Sequence, residues 1–176
     1  MPTIFVQGQA IEVSTTDYYL YWHQFVQSLD ALLGHFSCFP TTEYGEREFE
    51  GSVSFLRTNL ENFEDAELRE QAIALIEVME PLPLAHKNME NEVITQLRIT
   101  NPQSPSGKRQ LTKKWRMLIA GQAPTEEMKQ AIKTLQDYAN WYYHLTEEVI
   151  RNKEQFLQRI ENLYPEVKEQ LGNSKP

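Results

Sequence analysis

The sequence predicts an all-α fold: a single helical bundle of five to seven helices with a long C-terminal helix, spanning residues 1–176. Three observations predict it. Apolar residues recur at steps of three and four through most of the chain, the period of an amphipathic helix. Glycine is scarce, seven residues in 176, too few for a fold made of many tight turns. The only runs read as strands are two short ones flanking Gly8 within residues 3–13. The content of 40% apolar and 24% charged residues belongs to a globular chain, not to a disordered acidic one. No run of about 18 uncharged apolar residues occurs, so no spanning helix is expected.

Residues 3–13 hold two short β-prone runs on either side of Gly8. They form either a short hairpin or an extended tail. Ser14, Thr15, Thr16 and Asp17 are N-cap residue types. Tyr18, Trp22, Phe25, Val26, Leu29, Leu32, Leu33 and Phe36 then mark the first helix, which should stop before Pro40. Phe49, Val53, Leu56, Leu60 and Phe63 lie on one face of a second. A third, from about Asp65 to Met79, buries Leu68, Ala72, Leu75, Ile76 and Met79. Glu64, Asp65 and Glu67 suit the positive end of its dipole.

Pro81 and Pro83 force a break or kink. Leu84, Ala85, Met89, Val93, Ile94 and Leu97 define a fourth helix. Residues 100–107 are all loop formers and read as a flexible loop. Leu111, Trp115, Leu118 and Ile119 give a short helix whose other side is basic. Pro124, Thr125, Glu126 and Glu127 open the last long helix. Its apolar positions run from Met128 to Leu163, with Thr146 and Lys153 interrupting the seam. Nearly 40 residues at 1.5 Å each make about 60 Å, so the helix bends or projects. Pro165 ends it, and Val167 and Leu171 form a last turn. Residues 172–176 read as a disordered tail.

The net charge of −8 disfavours nucleic acid or an anionic membrane as a partner of the whole surface. The charge is unevenly placed. Residues 43–92 hold 13 acidic and four basic side chains, whereas residues 93–125 hold six basic and no acidic ones. The segment Met1–Val6 has no basic n-region, long apolar stretch or small-residue cleavage site. With a lone cysteine, that gives a cytoplasmic expectation.

Several chemistries lack their motifs. There is no phosphate-cradling glycine loop and no nucleophile elbow. A di-iron bundle needs a Glu three residues before a His. Leu20, Leu32, Pro83 and Trp141 hold those positions before His23, His35, His86 and His144. His86 with Glu90, and His144 with Glu147 or Glu148, could act as acid/base or ligand pairs, the plainer reading being surface pairs one turn apart. Glu61, Glu64, Glu67 and Glu70 recur at spacing three, without the Glu-x-x-Asp that all-α nucleoside triphosphate pyrophosphatases carry on the next helix. They read as a solvated face. Cys38, between Phe36, Phe39 and Pro40, reads as a buried structural thiol. The tyrosine-rich stretches Tyr18–Trp22 and Tyr138–Tyr143 read as core or interface. No catalytic residue, metal or cofactor is implied.

Three functional readings follow. The first is a small cytoplasmic interaction protein: an adaptor, regulator or assembly subunit acting through its long C-terminal helix and charged faces. Tyr138, Trp141, Tyr142, Val149, Phe156 and Ile160 are its candidate interface, with a protein partner or a second copy. The second is a nucleic-acid-contacting helical subunit using Lys108, Arg109, Lys113, Lys114 and Arg116, with Trp115 among them as a stacking ring. The same residues would equally serve an acidic partner. The third is a ligand-binding or metal-dependent enzyme of unknown substrate.

Overall fold

The computed structural model describes residues 1–37 and 42–173. Its elements run β1 (Thr3–Val6), β2 (Gln9–Glu12), α1 (Thr15–Gln27), α2 (Leu29–Leu32), α3 (Glu43–Thr58), α4 (Ala66–Met79), α5 (Leu82–Gln96), α6 (Pro105–Ile119), α7 (Glu126–Leu163) and α8 (Pro165–Asn173). The all-α expectation therefore holds, with a hairpin at the N-terminus. Among the described residues, no helix is long and apolar enough to cross a membrane. The chain divides into two compact units. One comprises Met1–His35, Thr42–Glu80 and the chain from Leu145 onward; the other comprises Phe36–Thr41 and Pro81–His144. Helix α7 contributes to both.

In the first unit, the turn decides between hairpin and tail. β1 and β2 pair antiparallel with Val6 opposite Gln9, leaving a two-residue loop. Gln7 and Gly8 have φ of 51° and 80°. Positive φ at both positions matches a type I′ turn, whose twist suits a hairpin. The hairpin leads into α1, where the Ser14 hydroxyl accepts the Asp17 amide at 3.1 Å. Trp22 is fully buried at the centre of this unit, its ring 5.2 Å from each of Phe25, Phe55 and Phe63. Phe49, Val53 and Leu56 from α3 join this core. So does every apolar residue expected of α4, from Leu68 to Met79.

Val149, Phe156 and Ile160 of α7 and Val167 of α8 complete this core. Lys153 interrupts the seam of α7 yet is buried. Its ammonium lies 3.2 Å from the Asp30 carboxylate and 3.5 Å from the Gln27 carbonyl. Gln27 closes α1, so the cation also meets the negative end of that helix dipole. The expected last turn is the full helix α8; Gly172 and Asn173 belong to it, and the rest of the expected tail lies outside the described residues.

The second unit opens at the expected break, where the proline pair starts a new helix. α4 stops at Met79, Pro81 caps α5, and Pro83 falls in its first turn, where no intrahelical N–H is needed. The inward face of α5 is Leu82, His86, Met89 and Val93. Leu84, expected inside, is 64% exposed. The reason is His86, a polar residue at the centre of that face. Its ring packs edge-on against Phe36 and Tyr138 and lies 3.3 Å from the Glu90 carboxylate. Counting apolar residues alone rotates the helix away from this solution. α6 begins at Pro105, so the last three residues of the expected loop form its first turn. The Ser104 hydroxyl caps it by accepting the Gly107 amide at 3.0 Å.

Candidate interaction surface

Helix α6 carries five of the chain's basic residues in nine positions, and the fold uses them unequally. Lys114 is half-buried, and its ammonium donates to the Leu97 carbonyl at 2.5 Å. Leu97 caps the C-terminus of α5, where carbonyls lack helical partners. Lys114 is therefore a tie between helices. Lys108, Arg109, Lys113 and Arg116 are all exposed. Among the described residues, none of the four makes an ion pair or a side-chain hydrogen bond.

At about 100° per residue, these four cations fall within an arc of about 140° on one side of α6. With Thr112 and Met117 they line a shallow depression of about 550 Å³. Trp115 is half-buried and does not line it. Leu118, on the opposite side, is buried. Ile119 stands beside the stripe and is 69% exposed.

The candidate interface on α7 is split by burial. Val149, Phe156 and Ile160 have no exposed surface and are core residues of the first unit. An apolar seam has the same spacing whether it faces a core or a partner, which is why sequence could not separate the two. Tyr138 is nearly buried, and its phenol donates to the Phe36 carbonyl at 2.6 Å. Tyr142 is half-buried and stacked against Tyr138. Trp141 alone of the six keeps a large accessible face, 37% of its surface.

Trp141 borders a second depression, of about 380 Å³, between α5 and the first half of α7. Sequence reasoning did not find this groove, because it forms only when two helices distant in sequence lie side by side. The two tyrosine-rich stretches belong to different units. Tyr19 stacks on Tyr164 at 4.1 Å, whereas Tyr138 packs against His86, Trp141 and Tyr142.

Of the acidic run, Glu67 is bound by Arg159 at 3.2 Å. His86 is fully buried beside Glu90, and His144 is exposed near the middle of α7. Among the described residues, no group of three or more His, Cys, Asp and Glu is placed to hold a metal ion. Cys38 lies outside the described residues. Comparison with protein-family models, with curated proteins and with solved structures finds no match to this chain.

Proposed function

We propose that this is a helical interaction protein, an adaptor, regulator or assembly subunit, whose contact face is the basic stripe of α6 and whose partner is an acidic protein surface. The observation that carries the reading is the set of four exposed cations without a counter-charge among the described residues. Arg109 and Lys113 are four apart, and Lys113 and Arg116 are three apart. Like charges at these spacings destabilise a helix by a few tenths of a kcal/mol per pair. The free protein bears that cost, and an anionic partner relieves it. The reading takes the cytoplasm as its setting.

An acidic protein is favoured over nucleic acid for two reasons. No aromatic ring lines the depression, so the stacking that single-stranded nucleic acid uses is missing. The net charge of −8 repels a long polyanion, whereas a short acidic patch meets only the local field.

Fluorescence anisotropy tests this with two short labelled probes, a glutamate homopolymer of six residues and an oligothymidylate of equal length, each no longer than the stripe requires. The glutamate probe should bind at low ionic strength and weaken steeply with salt. The double variant Lys113→Glu/Arg116→Glu should abolish that binding while leaving the helical circular dichroism unchanged. Tighter binding of the oligothymidylate, lost in the same variant, would move the assignment to nucleic acid. Unaltered glutamate binding by the variant would remove α6 from the account.

A further inference from the structure

Resting on that reading of α6, we propose that the acidic partner is a second copy of this chain, whose groove between α5 and α7 receives the basic stripe. The groove is built from positions i, i+3, i+4 and i+7 on each helix: Ala85 to Glu92 on α5, and Thr134 to Trp141 on α7. Met89 is buried along it and Trp141 presents its partly exposed indole. Each helix adds one exposed carboxylate, Glu92 from α5 and Asp137 from α7. No basic residue lines it. Asp137 makes no ion pair or hydrogen bond among the described residues, and Glu92 accepts only the Gln96 amide, at 3.3 Å.

The stripe and the groove match in charge, length and chemistry. From Arg109 through Lys113 to Arg116 is seven residue steps, about 10 Å along the helix axis, and so is each wall of the groove. A guanidinium can lie on the face of Trp141 while its N–H groups meet a carboxylate on either side. Ile119, beside the stripe, brings apolar surface to the same contact. Both surfaces belong to the second unit, yet among the described residues no ion pair joins them. Two complementary surfaces that leave each other unpaired within one protomer can be satisfied between two. Each protomer then supplies one stripe and one groove, so a two-fold pair makes the contact twice and closes.

Analytical ultracentrifugation of the full chain provides the test, with two charge-reversed variants. Wild type should sediment as a dimer, at twice 20.6 kDa, and shift toward monomer as salt is raised. K113E/R116E and E92K/D137K should each be monomeric, because each sets like charges against like. Mixed in equal amounts, they should recover the dimer, since the reversed stripe of one fits the reversed groove of the other and the two native surfaces still match. A misfolded variant could not be rescued this way. A wild-type chain that stays monomeric overturns the proposal, as does a mixture that fails to associate. The two layers fail separately, because excess homopolymer added to protein dilute enough to be monomeric reads the stripe before a second copy covers it. A monomeric wild type that still binds the glutamate homopolymer through Lys113 and Arg116 leaves the α6 reading standing and removes the second copy as its partner. A monomer that ignores the homopolymer removes both.

Discussion

Arg159 holds Asp65 with two parallel hydrogen bonds, Nε to Oδ2 at 2.9 Å and Nη2 to Oδ1 at 2.8 Å. Asp65 Oδ2 also accepts the Leu68 amide at 2.9 Å, so the same carboxylate caps α4 and ties it to α7. The fork geometry fixes the approach of the two helices within the first unit as well as neutralising the charge. It also fixes the entry into α4 after the buried Phe63, whose carbonyl accepts from the Arg69 guanidinium.

Removing the carboxylate should act mainly through the cap. Both partners of the ion pair are partly exposed, 29% for Arg159 and 21% for Asp65, and solvent screens such pairs. Asp65→Ala should cost about 1 kcal/mol, the usual worth of an N-cap. Asp65→Asn keeps an acceptor oxygen and should cost less. The hydrogen bonds from Arg159 hold the Asp65 carboxyl below its ordinary range. A depressed carboxyl stabilises the fold above its unfolded value of about 3.9, and the stability is lost as pH falls through the lower folded value. Urea denaturation of the Asn variant should therefore show a weaker acid dependence below about pH 4 than wild type. Equal acid slopes would mean that the pair does not contribute.

His23 makes the fold acid-sensitive for the opposite reason, because here the fold favours the neutral form. It is buried in α1, and among the described residues neither ring nitrogen has a hydrogen-bond partner. Glu161 of α7 approaches only to 3.7 Å. Burial lowers the ring's proton affinity below the ordinary value, against the pull of Glu161. The fold thus favours neutral imidazole, and the unfolded chain takes up the proton first. Stability on this account is full above about pH 6.5 and falls as pH drops from there toward the folded value. His23→Leu should flatten that part of the stability curve. It should also match or exceed wild type at neutral pH, because a buried ring with unsatisfied nitrogens gives way to an apolar side chain. The urea midpoint followed from neutral to mildly acidic pH decides it, since the other three histidines remain in both proteins. Parallel curves would exclude His23 as the source.

What was legible in the sequence was whatever depends on neighbours along the chain. A cap within Ser14–Asp17, the break at Pro81 and Pro83, and the apolar face of α4 are all local, and all are found, the cap at Ser14. The hairpin was half legible, because Gln7 is a less usual residue than asparagine at a position of positive φ. What depends on distant partners was not legible. Nothing in the spacing of Val149, Phe156 and Ile160 tells a core face from a contact face. The charge of Lys114 does not announce that a carbonyl 17 residues earlier will engage it. The groove beside Trp141 needs α5 and α7 side by side. The division into two units likewise leaves no mark on local periodicity.

Gly107 turns one such distant constraint into a measurement. It occupies the third position of α6, and its amide is the donor that Ser104 caps. A Cβ there would overlap the backbone carbonyl oxygen of Asn101 and stand 2.9 Å from Pro102 Cα. These are backbone atoms, so no rotamer relieves the clash. The loop is itself held, because the Asn101 carbonyl accepts both the Ser104 amide at 2.9 Å and the Ser104 hydroxyl at 2.7 Å. Gly107→Ala should therefore destabilise by about 1–3 kcal/mol, the cost of overpacking, although alanine is the better helix former by about 1 kcal/mol. Gly51, exposed within α3, meets nothing within 4 Å of the same added atom. Gly51→Ala should stabilise by up to about 1 kcal/mol. The same chemical change then has opposite signs at two helical positions, read from urea midpoints of the two variants. Because α6 carries the basic stripe, Gly107→Ala should also weaken binding of the glutamate homopolymer while Gly51→Ala leaves it unchanged. A stabilised Gly107→Ala protein would mean that α6 does not start against Asn101, and the orientation of the stripe would have to be drawn again.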